Sequence, residues 1–150
     1  MTMSPITQFH IACQAIGDGN PEVLVVEFLS REIAGPTQSQ ELAEQLDALL
    51  RPGLPRNIVI DFANARSLGS TAFGEIARFV RRAGQVRVCN LDNMLQLGAS
   101  LIGLDGLVEF AGGRQQAIRA ARRDWRQGEE DTVDYPGTLC PASFKAMIRA

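Results

Sequence analysis

The run Ile58-Val59-Ile60-Asp61-Phe62 most narrowly limits what this chain can fold into. It is short, rich in β-branched residues and free of polar positions until Asp61. Such a run reads as a strand in the middle of a sheet, covered on both faces. Asp61 marks the point where a connecting loop leaves the sheet. Beyond that loop the pattern changes period. From Leu68-Gly69-Ser70-Thr71-Ala72-Phe73-Gly74 onward, Phe73, Ile76, Ala77 and Val80 recur at helical spacing. They form the core face of an amphipathic helix that stops at Ala83-Gly84. A doubly covered strand feeding a helix requires neighbouring strands and further helices to cover them.

The rest of the chain supplies both. Phe9 to Ala15 alternates weakly, as an edge strand would. Gly17-Asp18-Gly19-Asn20-Pro21 is a turn, and Val23 to Phe28 is a second strand able to pair with the first. After the break at Gly35-Pro36, Thr37 and Gln40 have the form of a capping box. The helix behind them carries Leu42, Ala43, Leu46, Leu49 and Leu50, and Pro52-Gly53-Leu54-Pro55 ends it. Val86-Arg87-Val88-Cys89 reads as a strand, with Asp92 or Asn93 placed to cap the next helix. Met94, Leu97, Gly98 and Leu101 are the expected core stripe of that helix. Leu107 to Phe110 is a further short strand, and Arg114 onward is a last, more polar helix.

This order predicts an α/β domain over residues 1–123, with a mixed sheet of about five strands and about four helices. Residues 124–150 read as an extension. Glu129-Glu130-Asp131 and Tyr135-Pro136-Gly137 have the composition of an exposed connector. Pro141 to Ala150 can form a short helix with Phe144, Met147 and Ile148 on one face. So short a helix needs a surface to dock on, its own domain or a partner.

Composition removes several function classes. A net charge of −2 lacks the basic footprint of a nucleic-acid binder. No apolar run approaches the length of a membrane helix, and no secretory leader is visible, so the expectation is a cytoplasmic protein without membrane insertion. Cys13, Cys89 and Cys140 suggest no disulfide framework. His10 is the sole histidine and Lys145 the sole lysine. There is no phosphate loop, no dinucleotide fingerprint and no nucleophile elbow. The reading is a non-enzyme with no metal and no cofactor.

The strand ending at Asp61 and Phe62, the loop Ala63 to Leu68, and Gly69-Ser70-Thr71-Ala72-Phe73-Gly74 opening a helix resemble the STAS domain family. This is the family of anti-sigma-factor antagonists and stressosome proteins. The strand Val86 to Asn90, the helix from Asn93, Gly103-Leu104 or Gly106-Leu107, the strand to Phe110 and Gln115-Gln116-Ala117-Ile118 follow in the family's order. The resemblance spans roughly residues 9 to 121. At the motif itself, Gly69 stands where the family has an acid and Ala72 where it has glycine.

The resemblance implies a protein-interaction module that binds an anti-sigma factor or a related serine/threonine kinase. It also implies regulation by phosphorylation at Thr71, with Ser70 the neighbouring candidate. The partner surface it implies comprises Gly69, Ser70, Thr71, Ala72, Glu75 and Arg78. Small STAS domains also serve as accessory subunits of lipid-transport ABC complexes or as phosphorylation-dead scaffolds, and a homodimer stays open. From the residues themselves, Ser70 or Thr71 is expected to cap the helix and Phe79 to lie off the core stripe. Asp61 is expected to stabilise its loop, and His10 to be an ordinary strand residue. Arg78, Arg81 and Arg82 should form a solvated face. Arg114, Arg119, Arg122, Arg123 and Arg126 should be neutralised by the acids that follow them.

Overall fold

The computed structural model describes residues 8–17 and 22–133, with side chains in the last helix up to residue 123. Strands β1 (Ile11–Ile16) and β2 (Val23–Phe28) come first. The two-residue strand β3 (Glu32–Ile33) follows, then α1 (Gly35–Ala48), β4 (Asn57–Asp61) and a second two-residue strand, β5 (Ser67–Leu68). Next are α2 (Ser70–Ala83), β6 (Gln85–Cys89), α3 (Asn93–Leu101), a 3-10 turn (Leu104–Gly106), β7 (Glu109–Ala111) and α4 (Arg114–Val133). The main sheet has the order β1-β2-β4-β6-β7. β1 pairs antiparallel with β2, and β2, β4, β6 and β7 run parallel. This is the five-stranded mixed sheet with four helices that the pattern predicts. The two-residue pair β3–β5 is an addition, too short to carry a sequence signal.

Strand period divides the core in two. Leu24, Val26, Phe28, Ile58, Ile60, Val86 and Val88 face the layer of α1, α2 and α3. Val23, Val25, Val59 and Cys89 face Ala117, Ile118 and Ala121 of α4. β4 is buried at every position. Each large apolar side chain so covered contributes about 1.5–3 kcal/mol relative to exposure. The phenyl rings of Phe28 and Phe62 stack at the carboxyl edge of the sheet, 4.9 Å between centroids.

Several local expectations are corrected. Helix α1 starts at Gly35 with Ala34 as its N-cap, so Thr37 and Gln40 form no capping box. Proline in the first turn sets the helical φ early, and the Gln38 side chain accepts the Ala34 N–H at 2.9 Å instead. Phe79 is 1% exposed rather than off the core. α2 packs on α1 as well as on the sheet, so its buried arc is wider than one stripe. In α3 the core face is Leu95 and Ala99, and the expected stripe of Met94, Leu97 and Leu101 points outward. Gly98 explains the choice of face. An ideal Cβ there would lie 2.6 Å from the Phe73 ring, so α3 settles against α2 through a position with no side chain.

His10 is not an ordinary strand residue. It is fully buried, with Nδ1 2.7 Å from Ser30 Oγ and Nε2 3.0 Å from Glu41 Oε1. Gln45 of α1 accepts the His10 N–H at 2.7 Å and donates to the Gln8 carbonyl. These contacts pin the start of β1 to α1. The last helix runs unbroken to Val133, so Glu129-Glu130-Asp131 lie in helix rather than in a connector. Gln127, Glu129 and Glu130 are good helix formers. The short helix expected at 141–150 lies outside the described residues.

Two expectations follow from this packing. Gly98→Val should drive α3 off Phe73 and lower stability by about 1–3 kcal/mol, the usual cost of overpacking, read from urea unfolding. The second concerns Cys89. Burial, reinforced by the Asp61 charge and opposed by Arg114, pushes its thiol from 9.0 up to about 12. The raised value means that its contribution is complete below the unfolded value and is lost as pH rises towards the folded one. The slope between those limits should be about 1.4 kcal/mol per pH unit, and unfolding of Cys89→Ala should lack that component.

Candidate functional site

The start of α2 is built from two directions. β3 and β5 pair so that the Gly69 N–H donates to the Ile33 carbonyl at 2.9 Å. The Phe73 N–H then donates to the Gly69 carbonyl at 3.0 Å, closing the first turn. Gly69 is therefore the N-cap, extended at φ −69° and ψ 165°, with no side chain to accept a first-turn N–H. Ser70 and Thr71 are the first two helical residues, and neither caps the helix. The expectation of a hydroxyl cap is thus corrected. The β3–β5 pair brings the chain in one residue earlier than the hydroxyl pattern suggested.

The six residues of the expected partner surface do not all face outward. Ser70 and Thr71 are exposed. Ala72 is fully buried, so it presents nothing to a partner. Glu75 is half-buried and pairs with Arg78 at 2.9 Å. Arg78 also approaches Asp47 of α1 at 3.9 Å, and Arg82 bonds the same carboxylate at 3.1 Å. Arg78 and Arg82 thus brace α2 against α1 while remaining half-exposed. Thr71, Glu75 and Arg78 share one flank of the helix by their spacing. The unsatisfied first-turn N–H groups carry the positive end of the helix dipole.

Asp61 does what a loop-stabilising carboxylate does, and more. It is buried, and its Oδ1 accepts the Ala63 N–H and the Asn90 amide, each at 2.9 Å. Its Oδ2 lies 3.5 Å from Arg114, which also meets Glu27 at 3.2 Å. Asn90 takes a left-handed backbone (φ 62°), a conformation asparagine tolerates better than most. Arg122 pairs with Glu22 at 2.8 Å. Arg114 and Arg122 thus each pair with carboxylates on or beside the strands. Glu27 and Glu22 lie 87 and 100 residues away from Arg114 and Arg122 in sequence, where no local pattern could reveal them.

A concavity of about 510 Å³ lies between Asn90-Leu91-Asp92 and Phe110-Ala111-Gly112. It arises because the β6 connection turns to the α3 face and the β7 connection to the α4 face. Its carboxylate, Asp92, is engaged as the N-cap of α3, accepting the Leu95 N–H at 2.8 Å.

No family model matches the chain, and no curated protein matches it by sequence. Solved structures do match in three dimensions. RsbS of Moorella thermoacetica, in a single-substitution form, superposes with a TM-score of 0.63 at 13% identity, covering 79% of this chain and 99% of that one. An anti-sigma-factor antagonist (STAS) domain protein from Planctomyces limnophilus gives 0.60 at 17% identity, with 73% and 96% covered. An anti-sigma factor antagonist from Mycobacterium paratuberculosis gives 0.53 at 22% identity, with 75% and 94% covered. Among the described residues no helix is long and apolar enough to cross a membrane.

The Gly69 geometry makes a direct expectation. A Cβ there meets nothing closer than 3.7 Å and the φ is unstrained. Gly69→Asp should therefore cap α2 and raise stability by about 0.3–1 kcal/mol at low salt, measured by thermal or urea unfolding. Sheet order, connections and superposition agree, and they give this chain the STAS fold.

Proposed function

We propose that this chain is a non-enzymatic protein-binding module of the anti-sigma-factor-antagonist kind. It contacts an anti-sigma factor or a related serine/threonine kinase through the start of α2. Residues 1–123 form the binding module in this reading, and residues 124–150 an extension. One observation carries it: Ser70 and Thr71 are exposed on the first turn of a helix whose other flank is locked into the core. The fold they sit on is also that of anti-sigma factor antagonists.

The site is suited to a reversible switch. A phosphate on Thr71 would lie beside the positive end of the helix dipole, so the fold tolerates it. It would add about −1.5 to −2 charge to the exposed flank shared with Glu75 and Arg78. Such a charge repels an acidic or apolar partner surface without unfolding the domain. Gly69 supplies no carboxylate to compete for the same N–H groups.

Affinity capture with the full chain from its native cell should recover an anti-sigma factor or kinase. Recovery of an ABC-transporter ATPase instead would favour the accessory-subunit reading. With the captured protein, Thr71→Asp should weaken binding at least tenfold while Thr71→Ala binds like the unchanged chain. If both variants fold and bind equally well, Thr71 is no switch.

A further inference from the structure

Exposed large apolar side chains gather on α3. Met94, Leu97 and Leu101 are 71%, 56% and 78% exposed. They stand at i, i+3 and i+7 of one helix, so they make one stripe. Gly98 orients it. Its backbone lies against Phe73 of α2, and Met94, Leu97 and Leu101 flank Gly98 on the outward side. The stripe therefore borders the groove between α3 and α2, and Ser70 stands one helical turn before Phe73. From Leu91 to Gly106 the only charges are Asp92 and Asp105.

The chain carries a segment that matches this surface. Residues 141–150 place Phe144, Met147 and Ile148 at i, i+3 and i+4, and their only charges are the cations Lys145 and Arg149. The two segments match in having apolar residues at helical spacing, and their charges are opposite in sign. The path is long enough. Asn57, the first residue of β4, donates to the Ala121 carbonyl, so α4 has reached the amino edge of the sheet by that residue. Residues 122–133 continue past that edge for about 18 Å at 1.5 Å per residue. α3 returns from the carboxyl end of β6 towards the same edge, where Leu101 lies. Combining the overshoot with two layers of about 10 Å, each one helix diameter, leaves a gap near 30 Å. Residues 134–143, which lead up to the first apolar contact at Phe144, can span about 33–36 Å. The solved neighbours, covered over 96% and 94% of their length, match only 73% and 75% of this chain, so it has more polypeptide than the shared fold uses.

We infer that residues 144–150 dock on the Met94–Leu97–Leu101 stripe of their own chain, covering the groove beside Ser70. The docked segment competes with the partner for that surface, a consequence that rests on the proposed function, whereas the docking itself does not.

The test uses the full chain carrying Cys13→Ser, with a nitroxide spin label on Cys140. Cys89 is buried and stays unlabelled. Amide NMR signals of Asn93–Leu101 should broaden relative to the reduced label. They should recover in Phe144→Ser/Ile148→Ser, and also in Met94→Asp/Leu101→Asp, whose changes fall on exposed positions and leave the fold intact. A mixture of isotope-enriched unlabelled chain with spin-labelled unenriched chain should show no broadening. Broadening in that mixture would assign the stripe to a second copy's segment and overturn the inference. Absence of broadening in the labelled chain would overturn it too. No partner is needed for this measurement, so its failure and the failure of the partner reading are separate results. With a partner in hand, Phe144→Ser/Ile148→Ser should tighten binding by about tenfold for a 10:1 docked population.

Discussion

A carboxylate at the end of a doubly buried strand organises the carboxyl edge of this molecule. Asp61 has to leave the interior of the sheet as a charge and still be satisfied. It does so by drawing in the Ala63 amide, the Asn90 side chain and Arg114. Each partner comes from a different connection: the loop after β4, the loop after β6 and the start of α4. Losing one member would leave a buried charge or donor unpaired, which is costly. The edge from which every parallel strand launches its helix is thereby held by one small polar network. The loops that frame α2 and α3 inherit its rigidity.

α2 mediates between that rigid edge and the exposed surface. Its arc from Ala72 to Ala83 packs on both the sheet and α1, while its first two residues remain in solvent. The β3–β5 pair places Gly69 at the cap, and Gly98 lets α3 approach Phe73. Both are glycine effects, with opposite results. At Gly69 the missing side chain leaves the helix start open to a ligand charge. At Gly98 it lets two helices touch, and so turns the longer apolar side chains of α3 outward. The exposed hydroxyls and the exposed apolar stripe are consequences of one packing arrangement.

The sequence by itself determined the element order, because strand and helix periods are local properties of the chain. β2, β4 and β6, the helices α1, α2 and α3 and the Asp92 cap were all legible that way. The hydroxyl pair at the start of α2 was legible as well, through its position after a buried strand. Tertiary structure alone decided which face of each helix is inside. In α3 both Leu95 with Ala99 and Met94 with Leu97 and Leu101 satisfy helical spacing, and contact with Phe73 selects the first set. The same holds for Phe79, buried because α2 packs on α1 as well as on the sheet, and for His10, buried between Ser30 and Glu41. The partners of Arg114 and Arg122 also required the folded sheet to bring distant carboxylates near. Periodicity specifies that a face exists. Only the neighbouring elements specify what that face meets.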